Sequence, residues 1–335
     1  MDMSKNEPFI SILTPVYNGE EYISECIESV RNQPYQNWEY IIVNNCSSDS
    51  TPQIINQYSG LDSRIKIVNN DIFVDAETNH NIAFSKISPK SKYCKVVSAD
   101  DWILPDCIVK MVNLAENNPH VGIIGSYQKA GEFIKWKGLP TDVQVISGKE
   151  VCRLSFLENL DVFGTPTSLL YRSDLIRENN PFFPNTYPYS DTSACYKYLQ
   201  YFDFGFIHEV LSVERLHDQQ ISSGAFKLMT SEIAIIHNLL EYASFYLTEQ
   251  EIELLKSETL EKYYKLLGGF VLKMMGREFW KMHRTRLKEL GYPLKWKKII
   301  KYSFYEVADE LRDPKIAFMK LIEVLKRKYS ELKGI

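Results

Sequence analysis

Apolar runs alternating with polar turns divide the first hundred residues into repeating units. The run "PFISILTPVYN" (8–18) is β-rich and breaks at Pro15 and Asn18, predicting a first strand. In "GEEYISECIESVRNQ" that follows, Tyr22, Ile23, Cys26, Ile27 and Val30 recur at the spacing of one helical face. Asn18 is the expected N-cap, with Glu21 three residues later as in a capping box. "WEYIIVN" predicts a second strand ending in the turn "NCSSDS". Thr51 is then expected to cap a helix that starts at Pro52 and closes at Gly60. "RIKIVNN", "ETNHNIAFSKI" and "YCKVV" predict a third strand, a helix and a fourth strand.

Strand–helix steps of roughly 30 residues are the pattern of parallel βαβ units. The predicted fold class is therefore α/β, a mainly parallel, helix-flanked sheet. Ligands of such sheets bind where loops leave the carboxyl ends of the strands. "PVYNGEE", "NNCSSDS" and "SADDW" all occupy that position and should converge on one crevice. From about residue 226 the pattern turns helical in "MTSEIAIIHNLLEYASFYL", "TEQEIELLKSETLEKYYKLLGGFVLKMM" and "PKIAFMKLIEVLKRKYSEL". The expected division is a first domain over 1–225 and a mainly helical region over 226–335.

Charge sharpens that division. The 335 residues carry a net charge of −4, which makes no general case for nucleic acid. From Lys227 onward there are 21 Lys+Arg against 15 Asp+Glu, leaving 18 against 28 before it. An acidic front and a basic tail imply different neighbours. The aromatic-basic stretch "FWKMHRTRLKELGYPLKWKKIIKYSF" suits peripheral contact with an anionic membrane, self-association, or plain packing on the protein's own surface. Six scattered cysteines without CxxC spacing point to free thiols in a reducing compartment. The polar start "MDMSKNEPF" is no signal peptide, and no window reaches 18 apolar residues. Together these predict a cytoplasmic protein, peripheral at most at the inner face of the membrane.

Asp100 and Asp101 in "KVVSADDWILP" are the sharpest chemical feature. Two adjacent carboxylates repel and need a cation, a hydrogen-bond network or open water. A divalent metal bridging phosphates commonly takes one or two carboxylates, while the simpler reading has Asp101 capping a helix and Asp100 solvated. The first loop lacks GxGxxG and GxxxxGK[ST], which disfavours dinucleotide dehydrogenases and P-loop enzymes.

"ISILTPVYNGEEYISECIESVRNQ", "YIIVNNCSSDST", "KVVSADDWILPDCI", "FGTPTSLLYRSDLI", "YSDTSACYKYL" and "VERLHDQQISS" resemble, in order, the signatures of family 2 glycosyltransferases. The resemblance covers about residues 8–224 and implies a GT-A fold, a nucleoside diphosphate sugar donor, Mn2+ or Mg2+, and inverting transfer to a saccharide or lipid-linked acceptor. Bacterial surface-polysaccharide assembly is the setting it implies. Thr14, Pro15, Tyr17 and Glu20 match donor-binding positions, with Tyr17 placed to stack on a uracil of UDP. Asn44 and Asn45 stand where the family carries an aspartate that accepts the base N–H, which puts base preference in doubt. Asp49 fits either a ligand or a turn. Asp-x-Asp becomes Ser98-Ala99-Asp100, so Asp100 is the implied metal ligand, with His217 beside it. Asp101 is read as supporting, and Arg215 as a phosphate contact or a loop brace. His80 faces the phosphates or packs internally. Thr165, Pro166 and Thr167 line the acceptor side. Asp191 is the implied catalytic base, although Ser190 replaces the usual glutamate; a helix-capping role is the competing reading. These departures also leave room for a non-catalytic relative that binds nucleotide sugars.

Overall fold

β1 (Ile10–Val16) is buried along its length, with Ile10, Ile12 and Leu13 shielded from water. A strand apolar on both faces sits inside a sheet, and β1 does. The computed structural model describes residues 7–184, 189–217, 229–273 and 275–312. β1 pairs in parallel with β2 (Trp38–Asn44) on one side and β4 (Tyr93–Val96) on the other, and β3 (Ile65–Asn69) extends β2. Between them run α1 (Ile23–Arg31), α2 (Thr51–Leu61) and α3 (Ala76–Phe84).

The expected parallel character holds for these four strands. Beyond β4 the sheet becomes mixed. It continues with β5 (Trp102–Ile103), β6 (Val121–Ala130), β7 (Phe133–Lys135), β8 (Val145–Ile146), β9 (Leu169–Arg172) and β10 (Asp203–Glu214). The spatial order is β3-β2-β1-β4-β9-β6-β10-β5, with β7 on β6 and β8 on β10. β9 is antiparallel to both β4 and β6, whereas β6 and β10 run parallel. α4 (Cys107–Asn117), α5 (Gly148–Glu158), α6 (Ser173–Glu178) and α7 (Ser190–Tyr198) complete this part. α1 sets Ile23, Cys26, Ile27 and Val30 into a core shared with Ile10, Ile12, Met111 and Val112. A second, aromatic cluster joins Phe84 of α3, Tyr171 of β9, Phe182 and Tyr198 of α7, with Phe182 and Tyr198 stacked at 4.8 Å.

Two expected caps are corrected. α1 begins at Ile23, not after Asn18, and no side chain caps it. Asn18 is left-handed (φ 48°), and its Oδ1 accepts the Ser48 N–H across 30 residues. α2 begins at Thr51 itself, behind Ser50, because Asp49 Oδ1 accepts the Thr51 N–H; Gly60 lies inside the last turn.

The chain divides into two compact units, Met1–Gln220 with Phe245–Leu247, and Ile221–Ser244 with Thr248–Ile335. The second holds α8 (Thr230–Tyr242), α9 (Glu249–Leu272), α10 (Arg277–Glu289) and α11 (Trp296–Arg312). Thr248 and Glu251 close a capping box on α9. Gly268 lets α9 and α11 approach, since a Cβ there would lie 2.6 Å from Tyr302 Cβ. The stretches 218–224 and 314–332, and the expected boundary at 225, lie outside the described residues. None of the described helices is long and apolar enough to cross a membrane.

Candidate functional site

The loops leaving β1 and β2 are tied edge to edge. Asn18 N–H donates to Ser47 Oγ, Gly19 N–H to Thr51 Oγ1, and Glu20 N–H to Asp49 Oδ2. Glu20 Oε2 accepts the Ser50 N–H in return. Gly19 fits this turn without strain, whereas a Cβ would come within 2.7 Å of Val16 Cγ2 and force one of the two to shift. Burial alone would raise the Asp49 carboxyl, but hydrogen bonds from Thr51 and Glu20 outweigh it and hold it below its usual range. Asp49 therefore anchors this turn. Thr14 lies below the surface and bonds Val97 O and Tyr40 OH, each at 2.7 Å, so it ties strand ends together. Pro15 follows it inside β1, while Tyr17 stands half-exposed above.

At the end of β2, Asn44 Nδ2 donates to Asn69 Oδ1 and Asn44 Oδ1 accepts the Ser47 N–H. Asn45 is buried and turned onto the backbone of Val74. His80 donates from Nδ1 to Ala76 O at 2.8 Å, which fixes the tautomer with a lone pair on Nε2. Burial lowers its pKa, and its ring lies against Phe183. That places His80 as a neutral, packed imidazole.

The carboxylate doublet splits into two environments. Asp100 keeps part of its side chain exposed, and its Oδ2 lies 3.1 Å from His217 Nε2. Asp101 is buried, its Oδ2 accepting Thr167 Oγ1–H at 2.6 Å and its Oδ1 the Arg215 N–H. Burial, and then the Asp100 charge, push the Asp101 carboxyl well up. Arg215 donates from Nε to Asp100 O, pairs with Glu25, and has its guanidinium 4.8 Å from both the Tyr22 and Trp102 rings. These contacts brace the loop that carries Arg215. The doublet is therefore divided: a hydrogen-bond network takes Asp101, and Asp100 faces His217.

Pro166 and Thr167 lie in a single turn of 3-10 helix, Pro166–Ser168, with Thr165 at its N-cap, and the turn runs into β9. Thr167 is buried and accepts the Ser98 N–H, joining the turn to the end of β4. Ala99 comes between Ser98 and Asp100 and packs near Gly19. Two groups absent from the sequence expectations hold this turn from within. Lys95, fully buried on β4, donates to Thr167 O and to Leu169 O. Burial lowers its pKa to about 8. Gln128, also fully buried, accepts both Trp136 Nε1–H and Thr165 Oγ1–H. Because indole nitrogen only donates, this amide cannot be flipped. The charge inside "YCKVV" was a visible signal for Lys95. No local signal marks Gln128.

Asp191 opens α7, partly buried, with its Oδ1 accepting the Thr192 N–H at 2.7 Å. Burial raises its pKa to about 6, the Thr192 bond only partly opposing it. A carboxyl tuned toward neutrality suits proton transfer.

A model of glycosyl transferase family 2 matches residues 11–179. A glycosyltransferase of Haemophilus influenzae, itself uncharacterized, is 26% identical over 318 residues, 90% of this chain and 86% of that one. Residues 1–349 of Staphylococcus aureus TarS, solved with UDP-GlcNAc, superpose with a TM-score of 0.63 at 16% identity, over 98% of this chain and 92% of that one. The mannosyltransferase PcManGT of Pyrobaculum calidifontis, solved with GDP-Man and Mn2+, gives 0.55 at 12%, over 98% and 88%. With its loops gathered at the carboxyl ends of a helix-flanked sheet, and half its length matched by the family model, the chain belongs to glycosyl transferase family 2 and is a nucleotide-sugar-dependent glycosyltransferase of GT-A fold.

Proposed function

We propose that the protein is a metal-dependent, inverting glycosyltransferase that moves a sugar from a UDP donor to a hydroxyl of a saccharide or lipid-linked acceptor, in assembly of a bacterial surface polysaccharide. The observation that carries this reading is the approach of Asp100 Oδ2 to His217 Nε2 at 3.1 Å. A carboxylate and an imidazole turned to one point suit Mn2+ or Mg2+. Among the described residues no group of three acidic, histidine or cysteine side chains forms a complete shell. That fits a cation whose remaining ligands are diphosphate oxygens and water. When bound, the cation neutralises the diphosphate leaving group.

The chain's own residues do the rest. Tyr17 offers a ring to the base, and the stitched loops at 18–20 and 47–51 shape the donor pocket. The turn Thr165–Thr167 faces the acceptor. Asp191 takes the proton of the attacking hydroxyl as its oxygen displaces the diphosphate, a single displacement that inverts the anomeric carbon. The UDP donor is supported by the likeness to TarS, solved with UDP-GlcNAc. The Mn2+ assignment gains support from PcManGT, solved with GDP-Man and Mn2+.

The test is a panel of nucleotide sugars screened for thermal stabilisation with Mn2+ and with chelator, followed by transfer assays. UDP sugars should stabilise the protein only with metal. Asp191→Asn should retain that stabilisation and lose about 10²–10⁴-fold in transfer rate. Transfer that survives both chelator and Asp100→Ala overturns the metal reading.

A further inference from the structure

Two exposed aromatic side chains meet above the end of β2. Tyr17, from the loop after β1, is 50% exposed, and Phe73, from the loop after β3, is 60% exposed. Their rings pack edge to face at 4.8 Å. β1 and β3 are the two neighbours of β2, so the pair spans the end of that strand, where Asn44 closes it. Ile72, 72% exposed, extends the apolar surface.

The loop bearing Phe73 is held with care that an ordinary surface loop would not need. Asn45 Nδ2 donates to Val74 O at 2.7 Å, and Asn45 Oδ1 accepts the Val74 N–H at 3.0 Å. The same Oδ1 accepts from Asn70 Nδ2, which also donates to Asn79 Oδ1. Asn70 N–H donates to Asn44 O, and Asp75 caps α3 through the Thr78 N–H. Residues 70, 74 and 75 are fixed while Ile72 and Phe73 project outward. A carboxylate at 45 could accept these bonds but could not donate to Val74 O. The amide at this position is therefore what the loop requires.

Fixing apolar side chains in water is unfavourable unless another surface covers them. A flat aromatic ring, such as the base of a nucleotide donor, would cover exposed rings of this kind. Building on the donor reading above, we infer that Phe73 is a base-contacting residue, forming with Tyr17 one aromatic wall of a slot for the nucleobase, and that Asn45 is the positioning residue that keeps Phe73 there. Affinity for the base then comes from ring contact, which every base can make. With amides at 44 and 45, where the resemblance implies an aspartate that accepts the base N–H, a direct reading of the base gives way to a fixed wall beside it.

The experiment is calorimetric titration of the full chain, in Mn2+, with UDP, CDP, GDP and pyrophosphate. Phe73→Ala should weaken all three nucleotides by about 5–100-fold, the loss of one stacking contact, and leave pyrophosphate unchanged. Phe73→Leu, which keeps an apolar side chain and removes the ring, should lose nearly as much at unchanged Tm. Asn45→Asp should weaken the nucleotides and speed amide exchange across 71–74, again sparing pyrophosphate. Wild-type nucleotide affinity in Phe73→Ala overturns the slot, even where UDP binds the native protein well. Failure of the native protein to bind any nucleotide overturns the donor reading, and this assignment with it.

Discussion

The loops at 18–20 and 47–51 and the turn at 165–168 both present polar groups at strand ends, but they are held in opposite ways. The first are laced at the surface by Asn18, Ser47, Ser48, Asp49 and Thr51, mostly half-exposed or exposed. The turn is held from inside by Lys95, Gln128 and Asp101, all buried. Water can replace a surface bond at small cost, whereas a buried group that loses its partner keeps the whole desolvation penalty. The laced loops are thus redundant and the turn is not.

The largest expected effect tests the buried side. Lys95→Met removes the buried donor to the carbonyls of Thr167 and Leu169, at about 1–3 kcal/mol each, partly offset by removing a buried ammonium. A net loss of about 2–4 kcal/mol is expected in denaturant unfolding, with faster amide exchange centred on 165–170. Unchanged stability would erase the contrast.

Next comes the partly buried carboxyl of α7. With its pKa raised to about 6, Asp191 binds more protons folded than unfolded between the ordinary carboxyl range and pH 6. Its contribution is fully present below about pH 4 and is lost as pH rises through 6, on the order of 2–3 kcal/mol in all. On the proposed role of Asp191 as base, activity runs the other way: the carboxyl must be ionised, so kcat/KM should climb with an apparent pKa near 6. Unfolding curves of the native protein and Asp191→Asn from pH 4 to 7 measure the first. A difference between them that does not change with pH contradicts it.

The smallest effect belongs to the surface lacing. Asn18→Gly removes the Ser48 contact while keeping the left-handed backbone, and should cost under about 1 kcal/mol. A loss as large as that of Lys95→Met would show that the two regions are held alike.

These differences also explain what the sequence made legible. Strands β1–β4 and their helices were readable because each parallel βαβ step repeats one local pattern. The mixed sheet beyond β4 was not, since β9 enters antiparallel between strands distant in sequence. Asn18 followed the capping rule locally, but Ser48, 30 residues on, claimed its side chain. The motifs set Asp100 beside His217 and Thr167 apart, on the acceptor side; the structure brings the first two within 3.1 Å and joins Thr167 to Asp101. The partners that hold them were hidden for the same reason as β9. Lys95 and Thr167 are 72 residues apart, and Gln128 and Thr165 are 37.

The lacing of the first two loops is made by the chain itself. Loops already in shape need little further ordering when a partner arrives. Nucleotide capture should accordingly proceed as one kinetic phase, linear in ligand concentration, with a rate governed by encounter and no slow closure behind it.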